Sequence, residues 1–177
     1  MHPQESPTAL HAAVDELVTE LAAIGWGQPT RLFALVSSDL LLAEEPDLAA
    51  EIGARPGTFT AIEQDGFDLT IPLPRMLERI AWPDGVLGAA VAAEQIVLPP
   101  SAEADLPTWA DSTEVAEAAA ADDRATSLRI VAAVTRDGLE DTVFVVEGHD
   151  DPIRGGPDER LAPRLTESLA LTFRPTD

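Results

Sequence analysis

The chain of 177 residues contains no cysteine and no lysine, and it has few aromatic residues. The absence of cysteine excludes disulfides, thiolate nucleophiles, iron-sulfur ligation and the usual structural zinc sites. It also agrees with a reducing compartment, and the first ten residues, MHPQESPTAL, lack the basic head and apolar core of a secretory signal. We therefore expect a cytoplasmic protein.

Long apolar runs and positive charge are also scarce. The longest apolar run, VLGAAVAA at 86–93, is less than half of the about 18 residues that a membrane helix needs. The formal net charge is -21, from 32 acidic and 11 basic residues, and every basic residue is arginine. Such a field repels both the phosphates of nucleic acid and anionic lipid. We expect neither nucleic acid nor a membrane as partner, whereas a basic protein surface would be attracted.

The first half of the chain shows clear local patterns. Apolar residues spaced three and four apart predict an amphipathic helix from Ser6 to Ile24. RLFALV at 31–36 predicts a buried strand, and Ser37-Ser38-Asp39 caps a helix that breaks or restarts at Pro46 and closes at Gly53. GTFTAIEQDGFDLTI at 57–71 predicts a strand, a turn at Asp65-Gly66 and a second, short strand.

The pattern of the second half predicts, in order, a helix, a strand, a loop, a hairpin and a helix. LPRMLERIAW at 73–82 predicts a helix, and 86–100 predicts a central strand, with a helix as the alternative. Residues 101–126 are acidic and weakly patterned, which indicates a long loop in which 113–121 could form one short helix. SLRIVAAVTRDGLEDTVFVVEGHD at 127–150 predicts an antiparallel hairpin, and 158–173 predicts the last helix.

This order of elements predicts the fold class. Strands and helices do not alternate as regular βαβ units, and no repeat of 20 to 50 residues is present. We predict one α+β domain over 1–177. It would hold a single, largely antiparallel sheet of about five strands, with N-terminal, middle and C-terminal helices packed on one face.

The stretch EGHDDPIRGG at 147–156 concentrates acidic residues and a histidine within a few positions. Pro152, Gly155 and Gly156 favour a turn with solvated acids. The alternative is a site for a hard divalent cation, which prefers several oxygens around one point. The candidate ligands for that alternative are His149, Asp150, Asp151, Asp65 and Asp68.

The sequence lacks the motifs of serine hydrolases, dinucleotide-binding proteins and phosphate loops. There is no GxSxG elbow, no GxGxxG and no lysine for a phosphate loop, and GGPDERL places acids where an anion would sit. We therefore predict no catalytic residue, no cofactor-binding residue and no cofactor. Trp109, an aromatic within the acidic segment, is a candidate contact with a partner, although the sequence favours docking on its own domain.

Two stretches resemble a known group of proteins. They are TRLFALVSSDLLLAEEPDLAAEIG at 30–53 and RIAWPDGVLGAAVAAEQIVLPP at 79–100, with the Asp137-Gly138 hairpin and the terminal helix after GGPD. The chain resembles a family of small acidic actinobacterial proteins with no assigned function, over most of 7–173. The resemblance implies a cytoplasmic single domain and supplies no catalytic residues.

Two functions remain open at this point. The first is a non-enzymatic protein-interaction domain, with a basic partner or a homodimer formed through an uncovered sheet edge or the N-terminal helix. The alternative is a divalent-cation-dependent enzyme or a small-molecule binder that uses clustered carboxylates.

Overall fold

The computed structural model describes residues 7–106, 112–149, 151–155 and 160–174. The strands are β1 Arg31–Ser37, β2 Phe59–Gln64, β3 Val86–Val97, β4 Thr126–Thr135, β5 Glu140–Val146 and β6 Ile153–Arg154. The helices are α1 Pro7–Ile24, α2 Ser38–Glu44, α3 Pro46–Glu51, α4 Leu73–Leu77, α5 Pro100–Glu103, α6 Ser112–Ala121 and α7 Pro163–Leu171. Within these ranges, no helix is long and apolar enough to cross a membrane.

The strands form one antiparallel sheet in the order β2-β1-β3-β4-β5-β6. The α+β class and the antiparallel sheet are confirmed, with six strands in place of about five. The additional strand is β6, which pairs with β5 through Val143 and Phe144 only. Two residues are too few to produce a periodic signal in the sequence.

Helices cover both faces of the sheet, so the prediction that they pack on one face is wrong. Phe33 and Leu35 of β1 point into a core with α1, whereas Leu32 points into a second core with α4 and α7. Successive side chains of a strand point to opposite faces, and both sets are apolar here. Strands with two apolar faces need cover on both sides.

The helix limits follow local chemistry. Gly25 ends α1 with a φ of 100°, a conformation that glycine adopts without strain, and its N–H donates to the carbonyl of Leu21. The hydroxyl of Ser37 caps α2 by accepting from the N–H of Leu40, and Pro46 starts α3, as predicted. The helix predicted over 73–82 is shorter and ends at Leu77.

Two other predictions differ from the structure. The short strand after Asp65-Gly66 is absent: β2 pairs with β1, and residues 65–72 form an irregular connection with a turn and bend at 69–71. The carboxylate of Asp68 accepts from the N–H of Thr70 at 2.9 Å, which stabilises this turn. The segment 101–126 includes most of α5 and all of α6, and α6 confirms the short helix expected near 113–121.

The predictions for the centre of the sheet are confirmed. Residues 86–97 form β3, the long strand between β1 and β4, and β4 and β5 form the hairpin around Asp137-Gly138. At Gly88 there is no room for a side chain, since a Cβ atom there would lie 2.7 Å from the carbonyl oxygen of Val134. The sheet therefore requires glycine at this position.

Candidate functional site

The four described candidate cation ligands lie outside the strands and helices, Asp65 and Asp68 in the connection after β2 and His149 and Asp151 between β5 and β6. The N–H of His149 donates to the carbonyl of Val146 at 3.0 Å, in the turn between β5 and β6. Asp68 is held by Thr70, and the hydrogen bonds from that side chain and backbone lower the pKa of Asp68. Within the described residues, no three histidine, aspartate or glutamate side chains come together as a metal-binding group. Asp150 lies outside the described residues, so the cation site stays a prediction.

The candidate contact residue Trp109 also lies outside the described residues. Its role in docking on a partner stays a prediction. Any site argued from the described part of the chain must therefore use other residues.

Arg154, from the stretch EGHDDPIRGG, joins an ion-pair cluster between β5, β6 and α1. Its guanidinium donates to Asp141 at 2.9 to 3.1 Å and to Asp15 at 2.7 Å. The Asp141 side chain is only 4% exposed, and Nε2 of His11 lies 3.8 Å from its carboxylate. Burial alone would lower the pKa of Arg154, but the hydrogen bonds to Asp141 and Asp15 outweigh burial and raise it. The cluster holds β6 against α1.

A second ion-pair cluster lies just beyond the C-terminal end of α1. The guanidinium of Arg129 donates to Glu94 at 2.8 Å and to the carbonyl of Gly25, and it lies over the ring of Trp26 at 4.6 Å. Glu94 also accepts from the N–H of Gly27 at 2.9 Å. The two clusters hold α1 on the sheet at its middle, through Asp15, and just beyond its C-terminal end, through Gly25. Helix α1 therefore forms a wall for whatever lies beside it.

A groove of about 410 Å³ lies beside this wall, and we call it the β2 groove. Its lining comprises six consecutive residues, 58–63, together with parts of α1, α3 and the connection that follows α3. The buried hydroxyl of Ser38 lies 2.8 Å from the hydroxyls of Thr58 and Thr60, which fixes the start of α2 beside β2. Elements that are distant in sequence thereby form one concave surface.

Large apolar side chains are exposed in the β2 groove. Leu48 is 43% exposed, Ile52 46% and Ile62 40%. Leu48 and Ile52 are four residues apart, so they lie on one face of the α3 turn. Adjacent exposed apolar groups on a soluble surface are a common mark of a contact site.

Acidic residues surround these apolar side chains. Glu16 and Glu20 of α1 and Glu63 of β2 line the β2 groove. Glu16 pairs with Arg55, which also lines the groove, and Glu63 pairs with Arg31 at 3.2 Å. Exposed acids of α2, α3 and the residue between them lie close by in the sequence, namely Glu44, Glu45, Asp47 and Glu51. With three glutamates and one arginine, the lining of the groove carries a net negative charge, which the pairing of Glu63 with Arg31 reduces.

Sequence reasoning missed this surface. The available signal was Leu48 and Ile52, an apolar pair within the acidic segment AEEPDLAAEIG. That pair predicts a half-buried helix as readily as an exposed one. Its position beside α1 and β2 depends on contacts between distant parts of the chain.

A comparison with protein families gives one match. The family model described as PPA1309-like protein matches residues 10–174. The chain belongs to this family. The PPA1309-like match includes all six strands and every residue that lines the β2 groove. No curated protein and no solved structure matches the chain.

The family match confirms part of the resemblance seen in the sequence. Membership of a family without an assigned function is confirmed, and the matched range agrees with the predicted 7–173. The actinobacterial origin and the acidity of the family stay predictions.

Proposed function

We propose that this protein is a non-enzymatic, cytoplasmic interaction domain that binds a basic segment of a partner protein in the β2 groove. The supporting observation is the combination of exposed apolar side chains, Leu48, Ile52 and Ile62, with the carboxylates of Glu16, Glu20 and Glu63 around one concave surface. Apolar contact supplies affinity, and complementary charge supplies orientation and a fast encounter.

Charge favours a basic partner over a second copy of this chain. A twofold interface places the same patch of each copy against the other, so Glu63 would face its own counterpart region. Two chains of net charge -21 would also repel each other during approach. A basic segment experiences the opposite field, because the same carboxylates attract it.

Low-salt capture on the immobilised full chain tests the proposal. The groove variant replaces three carboxylates with amides and the control variant replaces three exposed carboxylates elsewhere, so each loses three negative charges from -21. The groove substitutions are Glu16→Gln, Glu20→Gln and Glu63→Gln, and the control substitutions are Glu78→Gln, Glu103→Gln and Glu117→Gln. The groove variant also loses the ion pairs of Glu16 with Arg55 and of Glu63 with Arg31, so circular dichroism must first show that both variants are folded. Because their net charges are equal, a difference between two folded variants then reports the groove carboxylates and not the total charge.

We expect basic proteins to bind the wild type and the control variant and to be lost from the groove variant. A wash at about 0.5 M salt should release them, because the screening length falls to about 4 Å. Equal capture by both variants, or captured proteins that are not basic and resist the wash, would refute the proposal. Sedimentation of the protein alone tests whether a second copy occupies the groove, since self-association would strengthen as salt screens the repulsion between the chains. Such self-association would also count against a basic partner.

A further inference from the structure

We infer that the partner segment binds as an added β strand along β2, with basic and apolar side chains alternating along it. The inference rests on the proposed function and specifies the binding mode and the sequence pattern of the partner. It depends on the backbone of β2, on the face to which each β2 side chain points, and on the course of the groove.

β2 is an edge strand with backbone groups directed away from the sheet. It is the first strand in the order, and β1 is its neighbour. The N–H of Ser38 donates to the carbonyl of Thr58, which identifies this opposed pair as hydrogen-bonded. Hydrogen-bonded pairs alternate with non-hydrogen-bonded ones in an antiparallel ladder. The N–H and C=O of Ala61 and Glu63 therefore point to the outer edge of β2, where no further strand of the described residues pairs.

The β2 groove follows that edge. Every residue from 58 to 63 lines it, which at about 3.3 Å per residue corresponds to a length of about 20 Å. A groove of this length along an edge strand fits an extended peptide whose main chain pairs with the edge and whose side chains enter adjacent pockets. A globular surface would contact only the rim.

The two faces of β2 differ in chemistry. Phe59 packs in the core with α1, so Ala61 and Glu63, two and four residues later, point to the same face. That face also carries Glu16 and Glu20 of α1, whereas Ile62 points to the opposite face. Side chains of an added strand alternate in the same way. Basic residues would lie on the α1 face beside the glutamates, and apolar residues would lie on the face of Ile62.

The acidic face would also oppose pairing of the edge with a second copy of itself. Edge strands with exposed apolar residues tend to aggregate unless charges oppose self-pairing. Glu63 and the glutamates of α1 repel a second β2 and attract a basic strand. The same side chains thus select the partner and protect the edge.

Fluorescence anisotropy with the wild-type full chain tests the binding mode. The probe is a short labelled peptide of alternating arginine and valine, in three forms: unmodified, N-methylated at every arginine and N-methylated at every valine. N-methylation removes hydrogen-bond donors and leaves the side chains in place. Only one of the two sets of N–H groups can face β2. We expect that set, when methylated, to weaken binding by at least about tenfold, and the other set to have a much smaller effect.

The outcomes separate the inference from the proposed function. If the unmodified peptide binds and the two methylated forms behave alike, strand addition is wrong and the proposed function survives. If the unmodified peptide does not bind at about 0.1 M salt, the inference and the proposed function fail together.

A variant of the protein provides a second test. Ala61→Pro removes an N–H that points away from β1, a position where an edge strand tolerates proline. We expect the variant to keep its circular dichroism spectrum and to bind the unmodified peptide about tenfold more weakly than the wild type. Unchanged binding by a folded Ala61→Pro would overturn the inference. If that variant does not fold, the methylated peptides decide the question on the wild type.

Discussion

The ion-pair cluster around Arg129 provides the sharpest test of how α1 is held on the sheet. The Arg129 side chain is 3% exposed and its partner Glu94 is 15% exposed, so both charges are largely removed from water. Arg129→Ala deletes the donor to Glu94 and to the carbonyl of Gly25, and it removes the cation from the ring of Trp26. The carboxylate of Glu94 is left without its cation.

The expected loss of stability is large. Removal of one partner of a buried ion pair costs about 3 to 5 kcal/mol, because the remaining charge stays desolvated without compensation. Glu94 keeps two acceptor contacts, from the N–H of Gly27 at 2.9 Å and of Gln28 at 3.2 Å, so we expect the lower part of this range. For a domain of this size, a loss of about 3 to 4 kcal/mol corresponds to a decrease of roughly 6 to 16 °C in melting temperature.

Urea denaturation monitored by circular dichroism measures this free energy of unfolding. Arg124→Ala is the control, since Arg124 is 43% exposed and pairs with Asp105 and Asp122 on the surface. Such surface pairs contribute about 0 to 1 kcal/mol. If Arg129→Ala costs less than about 1 kcal/mol, or no more than the control, the assignment of the cluster as the anchor of α1 is wrong.

Three further predictions follow from particular contacts. Gly88→Ala should lower the free energy of unfolding by about 1 to 3 kcal/mol in the same urea assay, because the new Cβ meets the backbone of β4. An unchanged free energy of unfolding would contradict this close approach. Hydrogen bonds from the side chain and backbone of Arg124 lower the pKa of Asp122 to about 2. Because the pKa of Asp122 is lower in the folded state than in the unfolded state, the charged carboxylate stabilises the fold at pH values above the unfolded-state pKa. This stabilisation is lost as the pH falls through about 2. Titration of the Asp122 carboxyl by NMR should show that midpoint and its rise in Arg124→Ala, whereas a wild-type midpoint near the ordinary 3.8 would refute the contact. Millimolar Ca²⁺, Mg²⁺ or Mn²⁺ should leave the melting temperature unchanged. A bound cation at 100 times its dissociation constant would stabilise the protein by about 2.7 kcal/mol, and such a shift would favour the cation-dependent alternative.

Local patterns predicted the elements with long or strongly periodic sequences. The apolar stripe from Leu10 to Ile24 predicted α1, and the β-rich runs on either side of Asp137-Gly138 predicted the β4–β5 hairpin. The apolar run that begins at Val86 predicted the central strand β3. In each case the hydrophobic pattern lies within one segment, so the element can be predicted from that segment alone.

Other features depend on which segments meet. The strand pattern after Asp65-Gly66 suggested a hairpin, but β2 pairs with β1, whose apolar residues offered the alternative partner. The run RLFALV does not alternate between apolar and polar residues, which is the pattern of a strand covered on both faces. We interpreted this run only as a buried strand. The ion pair between Arg154 and Asp15 joins residues 139 positions apart, and no local pattern indicates it.

The sequence by itself determined the acidic charge, the absence of thiol chemistry, the α+β class and most element positions, because composition and periodicity are properties of single segments. Only the tertiary structure decided that α1, α3 and the free edge of β2 enclose one groove with acidic and apolar sides. The physical reason is that Glu16, Leu48 and Glu63 become neighbours through sheet order and helix packing. Both are set by contacts between segments that are distant along the chain.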